Sequence, residues 1–205
     1  MKVAIIGGTG RVGQALAPHL SKSNEVKIGS RDREKAGASA ARIPGTSGGT
    51  YEEVSSWCDA AVLAVPFSAV GSLGTLAKPL AGKLVVSVVN PLKRDGDVLQ
   101  YAMADGSAAQ TVASLLPDSR VATAFNNVPV TAFGTPPGEE VDILVAADSL
   151  ETFKEVAGLI QVVPRMRAVY VGPLTQAQSV ERLTVLVLNA AKLSGGPRLS
   201  VKFVS

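Results

Sequence analysis

Hydrophobic residues along this chain fall into short unbroken runs, separated by stretches in which they recur every three or four positions. Runs that lack polar alternation are typical of strands that helices cover on both faces, as in a parallel sheet. The pattern predicts strands at Lys2–Ile6, Glu25–Gly29, Ala60–Pro66, Lys83–Asn90, Arg120–Asn127, Val141–Ala147 and Arg167–Gly172.

The stretches between these runs have the period of a helix, which predicts an α/β fold with a doubly wound parallel sheet. Residues 43–50 predict at most a short strand, and residues 131–140 predict a loop rich in glycine and proline. The end of the chain, residues 198–204, alternates and predicts an edge strand or a segment packed against the sheet. The predicted helices are Val12–Ser21, Asp32–Arg42, Tyr51–Trp57, Phe67–Leu80, Ser107–Leu116, Ser149–Val163 and Leu174–Ser194.

Three closely spaced glycines come just after the first predicted strand. Gly8, Gly10 and Gly13 have the spacing G-x-G-x-x-G, and a helical pattern begins at Val12. In a strand–turn–helix unit this spacing permits a sharp turn, close approach of the backbone to a pyrophosphate, and tight helix packing. Free N–H groups at the helix start then face the phosphates. The bend predicts a Rossmann-type dinucleotide site, against the alternative of a plain strand–turn–helix corner.

The end of the second predicted strand indicates which dinucleotide binds. A chain that binds NAD is expected to place a carboxylate there for the ribose hydroxyls, whereas this strand ends at Ser30 and Arg31. A hydroxyl and a guanidinium suit a 2′-phosphate, and Arg33 and Lys35 add positive charge. These residues predict NADP(H). The alternatives are a solvated charge run that opens a helix, or an NAD site in which Asp32 takes the ribose.

Other strand ends predict the rest of the pocket, because ligands of open parallel sheets lie beyond the carboxyl ends of the strands. Val65, Pro66 and Phe67 are predicted to form an apolar wall near the nicotinamide. Asn90 and Asn126 offer amides to the carboxamide or to a substrate. The structural alternative is that these asparagines satisfy backbone groups at the strand ends.

Composition excludes several classes of function. The 205 residues are 46% hydrophobic and 18% charged with a net charge of +3, which is too mild to indicate nucleic-acid binding. The chain contains no apolar stretch long enough to cross a bilayer. Since Met1 leads directly into a core strand, the sequence predicts no signal peptide and a cytoplasmic location.

The inventory of reactive side chains is small. The single cysteine, Cys58, is predicted to pack as an apolar residue, and the single histidine, His19, to lie at the surface or cap its helix. No metal site is predicted. No tyrosine is followed four residues later by lysine, which argues against short-chain dehydrogenase chemistry. We therefore predict no catalytic side chain, and a hydride acceptor whose own ring takes up the charge.

Seven stretches, in order along nearly the whole chain, resemble the NADPH-dependent oxidoreductases of the deazaflavin coenzyme F420. They are Gly7–Gly13, Gly29–Arg31, Ala64–Phe67, Val89–Leu92, Gly172–Leu174, Val180–Asn189 and Val201–Phe203. The resemblance implies a Rossmann domain with a small C-terminal addition that helps close the site. It implies hydride exchange between nicotinamide C4 and deazaflavin C5 in stacked rings.

The resemblance also implies roles for individual residues. Thr9, Arg11, Ser30, Arg31 and Lys35 would bind NADP, with Pro66 and Phe67 near the nicotinamide. The family has a histidine where this chain has Asn126. Lys93, Arg94, Arg165, Arg167 and Arg198 either face the anionic tail of the deazaflavin or form ordinary solvated surface.

The sequence thus predicts an NADP(H)-dependent oxidoreductase that exchanges hydride with a deazaflavin or a flavin. The alternatives are an NADPH-dependent reductase of a small carbonyl or imine, and a non-catalytic NADP sensor. We expect an NADP-binding domain at residues 1–130 and a small segment at 131–205 that closes the site. The apolar Leu183–Leu193 helix predicts either a homodimer or an internal core helix. The predicted cofactor-binding residues are Gly8, Thr9, Gly10, Arg11, Val12, Gly13, Ser30, Arg31, Arg33, Lys35, Val65, Pro66, Phe67 and Asn90, with Asn126 as a possible substrate contact.

Overall fold

Eight strands form one sheet in the computed structural model, which describes residues 1–133, 140–194 and 199–204. Their order is β10-β9-β8-β5-β4-β1-β2-β3, and a separate hairpin pairs β6 with β7. The strands are β1 Lys2–Ile6, β2 Glu25–Ser30, β3 Thr46–Thr50, β4 Ala60–Leu63, β5 Leu84–Ser87, β6 Leu92–Asp95, β7 Val98–Tyr101, β8 Arg120–Thr123, β9 Val141–Ala147 and β10 Met166–Tyr170.

From the neighbours β1 and β4, the chain order runs outward in both directions, to β2 and β3 on one side and to β5 and β8 on the other. This reversal confirms the doubly wound α/β fold. Every neighbouring pair is parallel except β8 and β9, which pair antiparallel through Ala122–Ala147 and Thr123–Ala146. The prediction of a wholly parallel sheet is therefore wrong at this one junction. In the described part of the connection from β8 to β9, the helical segment is the 3-10 turn Val130–Phe133, which is too short to carry the chain back to the other edge.

Helices cover both faces of the sheet. Alternate residues of β1 show the two layers, because Val3 and Ile5 belong to one buried cluster and Ala4 and Ile6 to the other. All four are fully buried, so the strand is apolar throughout. The α-helices are α1 Arg11–Leu20, α2 Arg33–Ala40, α3 Tyr51–Trp57, α4 Ala77–Leu80, α5 Ala108–Leu115, α6 Leu150–Gln161 and α7 Ala177–Leu193.

The predicted helix Phe67–Leu80 is wrong in type. Residues Phe67–Leu76 form a 3-10 helix, and only α4 at its end is α-helical. Gly71 and Gly74 lie within this segment, and glycine is a poor helix former. A shorter 3-10 turn, Leu174–Gln176, likewise precedes α7.

Strands β4, β5 and β8 end earlier than predicted. They stop at Leu63, Ser87 and Thr123, so that the residues which follow them form loops at the carboxyl edge of the sheet. These loops contain four of the predicted site residues, namely Val65, Pro66, Asn90 and Asn126. The early ends therefore place those residues beyond the sheet, where a ligand can reach them.

The C-terminal part of the chain extends the sheet and then packs against the hairpin. Strands β9 and β10 continue the main sheet, and α7 lies along β7. Asn189 of α7 accepts a hydrogen bond from the Leu99 N–H at 2.8 Å and donates one to the Leu99 carbonyl at 2.9 Å. The amide thus satisfies a strand edge in the way a neighbouring strand would.

His19 differs from its prediction. Its Nε2 lies 2.6 Å from the carbonyl oxygen of Phe133, 114 residues away. Since a carbonyl only accepts, Nε2 carries the proton and donates it. His19 is half-buried and joins α1 to the 3-10 turn Val130–Phe133, rather than capping its own helix. The predicted loop 131–140 begins in this turn, and residues 134–139 lie outside the described residues.

Candidate functional site

The glycine bend after β1 is built from close backbone contacts. The N–H groups of Gly7 and Gly8 both donate to the Gly29 carbonyl of β2 at 3.1 Å. A Cβ on Gly13 would lie 2.4 Å from the Gly8 Cα, and one on Gly7 would lie 2.6 Å from the Ala64 carbonyl oxygen. Gly7 also has φ +80, which favours glycine. The bend therefore requires glycine for steric reasons.

The start of α1 has unsatisfied hydrogen-bond donors. Its N-cap is Gly10, which provides no side-chain cap, and its first turn contains no acidic residue. The first backbone bond back to the cap is from the Gln14 N–H to the Gly10 carbonyl at 2.9 Å. The N–H groups of residues 11–13, in the first turn of α1, therefore have no partner within the helix. They point out of its start, where the helix dipole favours an anion.

A cleft of about 430 Å³ lies next to this helix start. It brings together the glycine bend, the end of β2 and the loop after β4, as the sequence predicted for a dinucleotide. Its lining residues are Gly7, Thr9, Gly10, Arg11, Val12, Ser30, Arg31, Lys35, Tyr51, Ala64, Val65 and Pro66. The bare helix start, the glycine bend and these cationic side chains fit a phosphorylated dinucleotide.

Asp32, which the sequence left as a candidate ribose ligand, has another role. Its Oδ1 accepts the Lys35 N–H at 3.1 Å and caps α2. Its own N–H donates to the Ser30 Oγ at 3.3 Å. Asp32 is absent from the cleft lining, whereas Ser30, Arg31 and Lys35 are part of it. The geometry therefore favours a 2′-phosphate over a free ribose hydroxyl at this point.

Arg33 lies apart from the other predicted cations. Its guanidinium pairs with the carboxylate of Glu53 on α3, and it does not line the cleft. Glu53 in turn completes a capping box with Thr50, accepting the Thr50 N–H at 2.8 Å. Arg33 thus joins the starts of α2 and α3.

Tyr51 is a site residue that the sequence reasoning missed. It lines the main cleft and also a neighbouring cavity of about 340 Å³, together with Arg31, Val65 and Pro66. Burial raises the pKa of the Tyr51 hydroxyl, and the nearby charge of Arg31 partly offsets this. Its position just after β3 puts it at the carboxyl edge of the sheet. Its place after a strand could have indicated Tyr51 as a site residue, but the sequence predicted at most a short strand at residues 43–50.

The loop after β4 provides the apolar side of the cleft. Val65 is 6% exposed, and Pro66 lines both cavities. Phe67 is half-buried at the start of the 3-10 helix and packs on the core cluster below it. Of the three predicted wall residues, the structure brings Val65 and Pro66 into the cleft and places Phe67 behind them.

The asparagines at the ends of β5 and β8 bond to each other. The Asn90 amide donates to the Asn126 carbonyl at 3.1 Å, and the Asn126 amide donates to the Val89 carbonyl at 2.9 Å and the Asn90 Oδ1 at 3.3 Å. The Asn126 Oδ1 accepts the Thr123 hydroxyl at 2.6 Å. Asn126 is only 1% exposed, so its amide positions Asn90, and the half-buried Asn90 is the better placed of the two to meet a ligand.

A buried carboxylate was also missed. Glu181 of α7 is fully buried and accepts the N–H groups of Ala108 at 2.9 Å and Ala109 at 3.1 Å, at the start of α5. The Tyr101 hydroxyl lies 2.7 Å from its Oε2. Burial raises the pKa of Glu181, and the three hydrogen bonds partly offset the rise. Its partners lie more than 70 residues away, so no local pattern could have indicated them.

The cations proposed for an anionic tail have different environments. Lys93 and Arg94 are exposed on β6, whereas Arg167 pairs with Asp142. Arg198 lies outside the described residues, and Arg165 has a positive φ of 61. Within the described ranges, no group of three or more His, Cys, Asp or Glu is arranged to hold a metal ion. No helix there is both long and apolar enough to cross a membrane.

Comparison with known proteins connects this geometry to a family. Residues 2–91 match the family model described as "NADP oxidoreductase coenzyme F420-dependent". The F420-dependent NADP reductase of Methanothermobacter marburgensis is 33% identical over 92% of this chain and 92% of its own length.

Two solved structures resemble the whole fold. A crystal structure from Arthrobacter sp. FB24, described as a candidate F420-dependent NADP reductase, superposes with a TM-score of 0.88 at 22% identity over 100% of both chains. The imine reductase of Streptomyces aurantiacus superposes with a TM-score of 0.66 at 25% identity. The match covers 95% of this chain but 64% of the imine reductase.

Proposed function

We propose that this protein, which belongs to the coenzyme F420-dependent NADP oxidoreductases, transfers hydride between NADP(H) and a deazaflavin coenzyme. The observation that carries the proposal is the bare start of α1, which faces a cleft that Arg31 and Lys35 also line. Unpaired backbone donors and fixed cations in one cleft suit the diphosphate and 2′-phosphate of NADP. The relatives that match over 92% of the chain are named for the same reaction.

The residues of the cleft divide the binding of NADP among them. The first-turn N–H groups of α1 would hold the diphosphate, with Thr9 and Arg11 beside it. Ser30, Arg31 and Lys35 would hold the 2′-phosphate at the end of β2. The absence of an acidic side chain in the first turn of α1 avoids repulsion of the phosphates.

The nicotinamide would lie beyond β4 and β5. Its C4 supplies or accepts the hydride. Val65 and Pro66 would exclude water from one face, and the Asn90 amide, held by Asn126, would orient the carboxamide. Catalysis would then consist of holding two planar rings at reacting distance, since the acceptor ring takes up the charge.

The test is a spectroscopic assay of the purified protein with NADPH and coenzyme F420. We expect loss of the visible absorbance of the oxidised deazaflavin, and a higher KM for NADPH in Arg31→Ala. No turnover with the deazaflavin, FMN or FAD would overturn the proposal. Consumption of NADPH with an imine or a small carbonyl instead would indicate a reductase. Tight NADPH binding without turnover of any acceptor would indicate a sensor.

We further propose that the protein works in the cytoplasm as a homodimer. Leu186 and Leu193 of α7 lie seven residues apart, on one face of the helix, and are 67% and 68% exposed. A second copy that packs on α7 would bury them. Sedimentation at equilibrium should give twice the chain mass, and Leu186→Glu should give the monomer. A monomeric wild-type protein would contradict the dimer, and recovery in a membrane or secreted fraction would contradict the location.

A further inference from the structure

The C-terminal tail, Val201–Phe203, is fixed by an ion pair between the buried Asp142 and the half-exposed Arg167. The Asp142 N–H donates to the Val201 carbonyl at 3.2 Å, and the Phe203 N–H donates to the Asp142 Oδ2 at 2.6 Å. Arg167 binds both oxygens of the same carboxylate at 2.7 and 3.0 Å, and donates to the Phe203 carbonyl at 3.2 Å. The backbone of Phe203 is therefore held at both its N–H and its carbonyl.

The hydrogen bonds of β9 show where this tail lies. The Asp142 carbonyl accepts the Asn127 side-chain amide at 2.7 Å, and the Leu144 N–H donates to the Asn127 Oδ1 at 3.2 Å. The N–H and carbonyl of one strand residue point to the same neighbour. Since the Asp142 carbonyl points toward β8, its N–H and the bonded Val201 lie on that side too. The tail therefore lies beyond the carboxyl end of β8.

That place is at the edge of the sheet where the cofactor cleft opens. Strand β8 neighbours β5, and β5 neighbours β4, whose loop lines the cleft. With strands about 4.8 Å apart, the tail is about 10 Å to the side of β4. The nicotinamide would lie between the two, and the tail would border the space beside it. Helix α7 lies at the same edge of the sheet, because the Thr184 hydroxyl donates to the Asn126 carbonyl at 2.8 Å.

Burying the Asp142 carboxylate has a free-energy cost, which only pairing and complete hydrogen bonding offset. Asp142 is fully buried. Arg167 satisfies it and holds the pKa of the Asp142 carboxyl below its ordinary value. The result is a fixed backbone that carries a Phe203 ring left 54% exposed. The exposed Phe203 side chain on this fixed backbone can therefore stack on a planar ring that enters the space beside it.

We propose that Asp142 is a positioning residue, which fixes the C-terminal tail as one wall of the pocket for the hydride partner of NADP. Phe203 of that tail contacts the bound deazaflavin coenzyme. This inference rests on the proposed function, since the second substrate is the one assigned there. The phosphates and the adenosine of NADP would bind at the glycine bend and the end of β2, away from the tail.

The experiment compares Asp142→Asn and Phe203→Ala with wild type, using coenzyme F420 and NADPH. We expect KM for F420 to rise about tenfold or more in Asp142→Asn, because the charge-assisted hydrogen bond from the Phe203 N–H to the carboxylate is lost. The Kd for NADPH should change by less than about twofold, as for a remote substitution. Phe203→Ala should raise the same KM without loss of stability, because its ring is half-exposed.

Matched controls lie at the opposite edge of the sheet. Glu155→Gln breaks the ion pair with Arg120, the first residue of β8, and Leu150→Ala removes a 60% exposed apolar side chain at the start of α6. Both should leave KM for F420 unchanged. Urea unfolding of each variant identifies any that fail to fold. If Asp142→Asn does not fold, Phe203→Ala still decides the role of the tail.

The outcomes separate this inference from the proposed function. Wild-type protein without F420 turnover would remove both. Normal wild-type turnover with unchanged KM for F420 in Phe203→Ala would overturn the positioning role alone. A parallel loss of NADPH affinity and F420 affinity in Asp142→Asn would indicate a general structural role, and would also overturn it.

Discussion

The two ends of the sheet are built differently. At the β1–β3 end, the cofactor cleft is made from residues close in sequence, the glycine bend at residues 7–13 and the charged turn at residues 30–35. At the β8–β10 end, Asp142 reaches Asn127 across 15 residues, Arg167 across 25 and Phe203 across 61. At the first end, polar groups remain available to a ligand, whereas at the second end the polar groups form hydrogen bonds with one another. We therefore assign the binding of NADP to the β1–β3 end, and the positioning of the C-terminal tail to the β8–β10 end.

The largest effect is expected from damage to the binding end. Gly13→Ala would place a Cβ 2.4 Å from the Gly8 Cα, so the bend must move. We expect a loss of up to about 3 kcal/mol in NADPH binding, roughly 150-fold in Kd. Gly37→Ala is the matched control, because nothing lies within 4 Å of its Cβ in α2. Calorimetry should show unchanged affinity for Gly37→Ala, and unchanged affinity for Gly13→Ala would contradict the account.

A smaller effect is expected at the positioning end. Asn126→Ala removes an amide that bonds Thr123, Val89 and Asn90 in a site that is 1% exposed. Leaving these partners unsatisfied should lower the free energy of unfolding by about 2 kcal/mol. Urea unfolding measures this, and NADPH affinity should fall less than in Gly13→Ala, because only the carboxamide contact through Asn90 is disturbed. Unchanged stability combined with lost turnover would instead identify Asn126 as a substrate contact.

The smallest effect is a pH dependence of stability. Burial raises the pKa of Glu181, so the folded state binds this proton more tightly than the unfolded chain. Its stabilising contribution is full below the unfolded value of about 4.3, and is lost as pH rises through the folded pKa. Glu181→Gln abolishes this titration. The advantage of wild type over Glu181→Gln should therefore shrink as pH rises from the unfolded value through the folded pKa, which urea unfolding at a series of pH values measures.

Asp142 provides the opposite sign as a check on that measurement. Arg167 lowers the pKa of Asp142, so its contribution is present above the unfolded value and is lost as pH falls through the folded pKa. Urea unfolding of Asp142→Asn should show its deficit at neutral pH and less of it in acid. The same pH trend in both variants would mean that the two buried carboxylates are misassigned.

The same contrast explains what the sequence could predict. The bend, the charged turn and the apolar loop after β4 are local patterns, and each could be predicted because its residues are neighbours in the chain. Asp142 and Glu181 could not, since a buried carboxylate is stabilised by partners that only folding brings near. The sequence assigned Arg33 to the cofactor site from its place in the charged turn, and could not show the ion pair that it forms with Glu53 of another helix.

Element types failed where glycine or short length weakened the pattern. The 3-10 helix at Phe67–Leu76 has the apolar residues of a helix, but glycines interrupt it. The β6–β7 hairpin has only four residues in each strand, mostly exposed in β6, and so lacks a periodic signal. The antiparallel β8–β9 junction depends on how residues 124–140 connect the strands, which periodicity does not determine.

The most direct test of the central claim is calorimetric titration of NADPH and NADH into wild type, Arg31→Ala and Arg33→Ala. Because Arg31 lines the cleft and Arg33 is paired with Glu53, wild type and Arg33→Ala should bind NADPH at least about tenfold more tightly than NADH. Arg31→Ala should lose most of that difference. Equal affinity of wild type for the two nucleotides, or no heat with NADPH, would contradict the claim that this cleft holds NADP.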